Sequence, residues 1–229
     1  MCGRYSLVIN EDKLRKKFGP AVQLPTNLEP NYNVAPTQQG LVLTDRHPDQ
    51  MGLFRWGLVP HWAKDLSVGA RMINARSEGI EDKASFREPI RKHRCLVIAD
   101  SFYEWKREGK AKQPYRLLPD DGSLLIMAGI WSSWKPKDDD EAEYTNTYSI
   151  ITGPPNADTE DIHDRMPMLL RTDAQISVWL DPRSELDTVL SLLQPPPAGT
   201  LRAYPVNPLV GNVRNNGEEL HHVYAEAEA

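Results

Sequence analysis

The sequence predicts a single α+β domain with a β-rich core. Three observations carry that prediction. Short apolar runs rich in Val, Ile and Leu recur along the chain, the 19 prolines separate many of them with rigid turns, and few stretches have helical spacing. A length of 229 residues would allow one large domain or two small ones, at ~100–200 residues each. No convincing internal linker and no internal repeat divides the chain, which favours one domain.

The elements follow in order. Residues 4–9 (RYSLVI) read as a strand, and residues 11–18 as a short helix capped by Asn10, with Leu14 and Phe18 four apart on one face. Residues 19–32 form a proline-rich loop. Residues 40–44 and 52–56 flank a polar turn at 45–50, the pattern of a hairpin. Further strands are expected at 95–99, 101–106, 115–118, 124–130, 147–152 and 201–206. Residues 174–180 and 184–193 have helical spacing, with Asp181-Pro182 placed to open the second helix near its first position. Residues 135–143 (KPKDDDEAE) form an exposed acidic hairpin tip or loop, and the end of the chain, AEAEA, frays.

Composition excludes several classes. With 40% hydrophobic and 26% charged residues the chain is ordinary globular protein, long enough to bury a core without a disulfide framework. A net charge of −5 argues against nucleic-acid binding by bulk charge, though not against a local basic groove. Between Arg71 and Arg94 cationic residues are dense, but Glu78, Glu81, Asp82 and Glu88 leave only a modest excess. No apolar run approaches the ~18 residues of a membrane helix, and the N-terminus lacks the apolar stretch of a secretory signal. Two cysteines without metal spacing, scattered histidines and no glycine-rich phosphate loop point to no metal and no cofactor. A reducing, cytoplasmic setting is the default.

The chemistry-bearing residues begin at Cys2. A small second residue lets Met1 be removed, and the mature chain then starts with an α-amine and a thiol on adjacent carbons. With pKa values of ~7.7–8.0 and ~8.5 both groups are usable near neutrality. Such an aminothiol condenses with an aldehyde to an imine and closes to a thiazolidine. It can equally be the nucleophile of an amidotransferase or hydrolase. Cys95, in an apolar strand, reads as an inert buried thiol. Asn74 and Arg76 lie two apart, on one side if the backbone is extended. Glu104 sits between aromatic residues, where burial would raise its pKa toward the range useful for proton transfer. His163, flanked by Asp161 and Asp164, could shuttle protons.

Taken together, the ordered segments CGRY at residue 2, YNVAP at 32, WGLVP at 56 followed by Trp62, INARSE at 73, FYEW at 102, DIHDRMP at 161 and VGNV at 210 closely resemble the SRAP (SOS-response-associated peptidase) family of abasic-site-processing proteins. The resemblance spans almost the whole chain, setting a domain at residues 1–220 and a disordered acidic tail at 221–229. It implies an α+β fold around a β-barrel-like core and a positively charged cleft for single-stranded DNA, including junctions with duplex. It implies covalent capture of abasic sites through Cys2, with lyase and self-processing peptidase activities, in a monomer of the cytoplasm or nucleoid. Asn74 would position the terminus and the sugar, Glu104 would relay protons, and His163 would protonate the ring-opening sugar oxygen. Arg4, Arg76 and Arg165 would contact phosphates, Pro36 and Trp62 would wedge or stack beside the lesion, and Asn33 and Trp105 complete the expected DNA-binding set. An N-terminal-nucleophile hydrolase and a non-catalytic DNA binder are the competing readings.

Overall fold

Five strands close on themselves at the centre of the molecule. The computed structural model describes residues 2–109, 111–139 and 141–224. Strand β3 (Gln39–Thr44) pairs antiparallel with both β4 (Met51–Trp56) and β6 (Arg94–Ala99). Strand β6 pairs with β9 (Leu125–Trp134), and β9 with β10 (Thr145–Gly153), again antiparallel. The ring is completed by a parallel pairing of β10 with β4. Every residue of β6 is buried, which explains its unbroken apolar run. Leu41, Leu43, Leu96, Ile98, Met127 and Ile150 help to fill the core.

A second sheet carries the N-terminus. Its order is β12 (Leu201–Pro205), β8 (Ala111–Pro119), β7 (Ser101–Glu108), β1 (Tyr5–Leu7) and β2 (Asn31–Val34). Strand β1 is therefore interior, between β7 and β2, so the residues just before Tyr5 are held by strands on both sides. Two short strands extend the barrel from β10. Strand β5 (Asn74–Arg76) runs parallel to it, and β11 (Met166–Pro167) runs antiparallel.

Helices cover the outside. Helix α1 (Glu11–Phe18) starts at Asn10, whose side chain accepts from the Lys13 N–H. Its acids lie in the first turn and its bases in the last, aligned with the helix dipole. Helix α2 (Pro89–Lys92) leads into β6. Helix α3 (Asp173–Leu180) opens with a capping box between Thr172 and Gln175, and α4 (Leu186–Ser191) follows. Arg94 ties this layer down: its buried guanidinium donates to the carbonyls of Ile90, Arg91, Trp179 and Asp181. No helix among the described residues is long and apolar enough to cross a membrane.

Three expectations are corrected. Pro182 does not open α4, because Glu185 is its N-cap and Pro182 lies in a turn closed between Asp181 and Ser184. The stretch at 19–32 is not all loop, since Asn31 and Tyr32 begin β2. The domain also runs past residue 220. Tyr204 donates to the His221 carbonyl, Val223 bridges Val206, and the Tyr224 N–H donates to Pro205. Only residues 225–229 of the expected tail lie outside the described residues.

Candidate active site

The site forms where β1 and β7 of the second sheet meet the strands added to the barrel. Cys2 is fully buried there, and its carbonyl accepts a 2.7 Å hydrogen bond from Asn74 Nδ2. That bond joins the segment leading into β1 of one sheet to β5, which extends the other. The Cys2 thiol lies 3.9 Å from the Arg4 carbonyl. Burial pushes its pKa up, and the neighbouring Glu104 carboxylate adds to the rise. The thiol is thus stored protonated and needs a base to become a nucleophile.

Glu104 supplies one. It lies on β7 and is 4% exposed, and burial lifts its carboxyl from the ordinary glutamate range to about 7. At neutral pH it can therefore give or take a proton. His163 faces it, with Nε2 3.9 Å from Glu104 Oε2. The Arg165 N–H donates to His163 Nδ1 at 3.0 Å, which leaves the ring proton of the neutral imidazole on Nε2, toward Glu104. Burial lowers the pKa of His163, so the neutral ring is favoured. Asp164 Oδ1, 3.0 Å from Nδ1, is placed to stabilise the ring when it takes a second proton.

Strand β10 is what brings these groups together. Its Ile150 pairs with Asn74, and its Thr152 pairs with both Arg76 and Pro167. The turn carrying His163 is fixed by the bond from the His163 N–H to the Thr159 carbonyl, just before β11. Of the four expected chemical residues, Glu104 and His163 line a cavity of about 320 Å³ with Trp105, Arg107, Lys112 and Gly211, while Asn74 is bonded to the buried Cys2. A larger cavity of about 790 Å³, between α1 and the loop at 197–200, contains none of them.

The chain as a whole has relatives among known proteins. The family model described as SOS response associated peptidase (SRAP) matches residues 1–213. The chain belongs to the SRAP family. It is 43% identical over 224 residues to the abasic site processing protein YoqW of Bacillus subtilis (strain 168), covering 96% of this chain and 98% of that protein. It is 32% identical over 260 residues to the abasic site processing protein HMCES of Gallus gallus, covering 96% of this chain and 76% of that protein. Among solved structures, a protein from Bacteroides thetaiotaomicron superposes with a TM-score of 0.86 at 29% identity, covering 97% of this chain and all of that one.

In this SRAP chain the expected DNA-binding residues fall into two groups. Arg76 and Trp62 are exposed, the latter by 48%. Pro36 is half-buried in a turn closed by the Gln38 N–H and the Ala35 carbonyl. The next residue, Thr37, has φ of 72°, a strained value for a β-branched residue and one that type II turns reserve for glycine. Trp105 is half-buried beneath the Arg4 guanidinium, 5.9 Å away.

Arg4 and Asn33 form the enclosed group. Arg4 is largely enclosed, and its Nη1 donates to Asn33 Oδ1 at 2.7 Å and to the Val210 carbonyl at 2.6 Å. Asn33 is buried and donates to the carbonyls of Asn212 and Asn215. Both side chains are committed to holding the VGNV segment on the second sheet. Asn33→Ala is expected to lower stability by about 2 kcal/mol, since the Asn212 and Asn215 carbonyls lose their donor and the enclosed Arg4 guanidinium loses one of its acceptors. Chemical denaturation with and without a single-stranded oligonucleotide measures this, and an unchanged midpoint would contradict the structural role.

Sequence reasoning missed Glu78, Arg107 and Lys112 as parts of the site. Arg107 follows Trp105 by two on a strand, a period that already signals a shared face. Glu78 belongs to the same INARSE segment as Asn74 and Arg76, and it reaches Arg165.

Proposed function

We propose that this SRAP protein is a sensor of abasic sites that captures them covalently in single-stranded DNA, within the response to DNA damage. The names of its curated relatives support abasic-site processing. The observation that carries the mechanism is the convergence of Asn74, Glu104 and His163 on the buried Cys2. Removal of Met1, by the protein's own peptidase activity or by an aminopeptidase, makes Cys2 the terminal residue.

The chemistry balances with water as the by-product. His163 relays the proton that the C1′ hydroxyl gives up to the sugar ring oxygen as the deoxyribose opens to its aldehyde. The Cys2 amine attacks C1′ and, after one of its protons has moved to the new hydroxyl, water departs with a proton from Glu104 and leaves a protonated imine. Glu104, now a carboxylate, takes the thiol proton as Sγ adds to the imine carbon, which completes the neutral thiazolidine and returns Glu104 to its starting state. An imine that does not close permits β-elimination, the lyase side reaction. Asn74 holds the Cys2 carbonyl so that amine and thiol stay at the lesion.

Mixing the mature chain with an abasic single strand should give a species whose mass is the sum of both less one water. Methoxyamine, which caps the aldehyde, should prevent it. Amide turnover without any DNA adduct would instead assign the residue to hydrolase chemistry.

The strand itself is read by charge and stacking. Arg76 and Arg165 serve its phosphates, while Pro36 and Trp62 meet bases beside the lesion. The −5 net charge is compatible with this because affinity follows the charge in the cleft. Trp62→Ala should cost ~1–3 kcal/mol of binding with little change in salt dependence. Arg76→Glu should weaken intact and abasic strands alike and lower the salt slope by about one. Fluorescence anisotropy across a salt series distinguishes them, and an unaltered slope for Arg76→Glu would place the groove elsewhere. We assign the protein to the cytoplasm or nucleoid as a monomer.

A further inference from the structure

Arg165, expected to hold a phosphate, already holds a carboxylate. Its Nη1 and Nη2 each lie 2.8 Å from an oxygen of Glu78, the two-pronged geometry in which a guanidinium also grips a phosphate. The two partners are unequal. The Arg165 side chain is 12% exposed and Nη2 is anchored to the Thr152 carbonyl at 2.5 Å, whereas the Glu78 side chain is 56% exposed. The other contacts of Glu78 are within its own loop, a 3.4 Å bond from Ser77 Oγ and one from its own backbone N–H, and it is followed by Gly79 at a φ of 63°. The guanidinium is thus the fixed member and the carboxylate the one able to swing outward.

We propose that Glu78 is a specificity-determining residue that occupies the phosphate seat on Arg165 until a strand displaces it. The proposal rests on the reading of this cleft as a strand-binding site. Every strand meets the same obstacle, but the outcome differs with its chemistry. An intact strand has only reversible contacts, so displacing Glu78 shortens its stay. A lesion-bearing strand is trapped by Cys2 once it has entered. A uniform penalty on binding therefore becomes discrimination, because the covalent step is open only to one of the competitors. Glu78 also keeps the guanidinium paired and oriented while the cleft is empty.

The test uses the mature full-length chain, a labelled intact single strand and a labelled strand carrying a tetrahydrofuran abasic analogue that cannot form an imine. Wild-type protein should bind both with affinity that falls as salt rises. No binding at all would fail the strand-binding reading itself, apart from this inference. Glu78→Gln should bind both strands about tenfold more tightly. Glu78→Ser, which removes both oxygens, should do the same if the glutamine re-forms part of the contact. In an Arg165→Ala background most of that gain should vanish, because no seat remains to be vacated. Excess unlabelled intact DNA should then slow cross-linking of a true abasic strand more in Glu78→Gln than in wild type. Wild-type binding combined with unchanged or weaker binding by both Glu78 variants would overturn the proposal. So would an equal gain in the two backgrounds, which would reveal simple charge repulsion, or equal sensitivity to competitor.

Discussion

Cys2→Ser should form a borohydride-reducible imine with an abasic strand but no adduct that persists without reduction. The amine of residue 2 survives the substitution, so the first condensation remains available. Ring closure needs the sulfur, because a hydroxyl is a far poorer nucleophile toward an imine at neutral pH. An N-terminal extension that is never removed should abolish both species, since the chain then has no amine at Cys2. Denaturing electrophoresis with and without borohydride reads all three proteins in one experiment. A stable cross-link through Cys2 in the extended protein would refute the proposed chemistry. The effect is essentially complete loss of durable product, which no change in binding affinity could imitate.

Glu104→Gln should slow adduct formation by ~10²–10⁴, the usual cost of removing one positioned acid–base group. It should also change stability in the opposite direction. Burial holds the Glu104 carboxyl at about 7 in the fold, above the 4.5 of an ordinary glutamate. Between those values the native state keeps a proton that the unfolded chain releases, so stability falls as pH rises through this window. The whole shift is worth on the order of 3 kcal/mol. Glutamine has no proton to lose, so the variant should be the more stable protein at pH 8 and lack that part of the pH dependence. Thermal melting at pH 5 and pH 8 alongside single-turnover cross-linking tests both halves. Parallel stability profiles for the two proteins would show that Glu104 is not held in the shifted state.

How far the sequence could be read depended on whether a signal was local. Helix α1 was legible to its ends because Asn10, the acidic first turn and Gly19 are contiguous with it. The β3–β4 hairpin was legible for the same reason. Strands β2, β5 and β11 have four, three and two residues, and each is defined by a partner far along the chain. No periodicity can develop over so few positions. The Asn74 side chain was nevertheless singled out because its motif was polar in an apolar setting. Arg4 and Asn33 show the converse limit. Their residue types suit a phosphate, and their additional bonds to the Val210 carbonyl depend on a segment far along the chain that no local pattern announces. Glu78 was counted merely as charge compensation, although its actual partner lies 87 positions away.

The interior position of β1 also sets a timetable for synthesis. Its partner residues on β7 begin with Ser101 and Phe102, and Asn74 is seated by β10, which starts at Thr145. At ~5–20 residues per second, a ribosome needs several seconds to tens of seconds to deliver those partners after the N-terminus emerges. Throughout that interval the N-terminal strand has only β2 to pair with, so the second residue is open on its other side and an enzyme that trims nascent chains can reach it. Once β7 and β10 have arrived, the same residue is enclosed between strands of both sheets. A slow, long-range topology thereby leaves the first peptide bond open to a trimming enzyme early in the life of the chain, and leaves any later cleavage to the folded site itself.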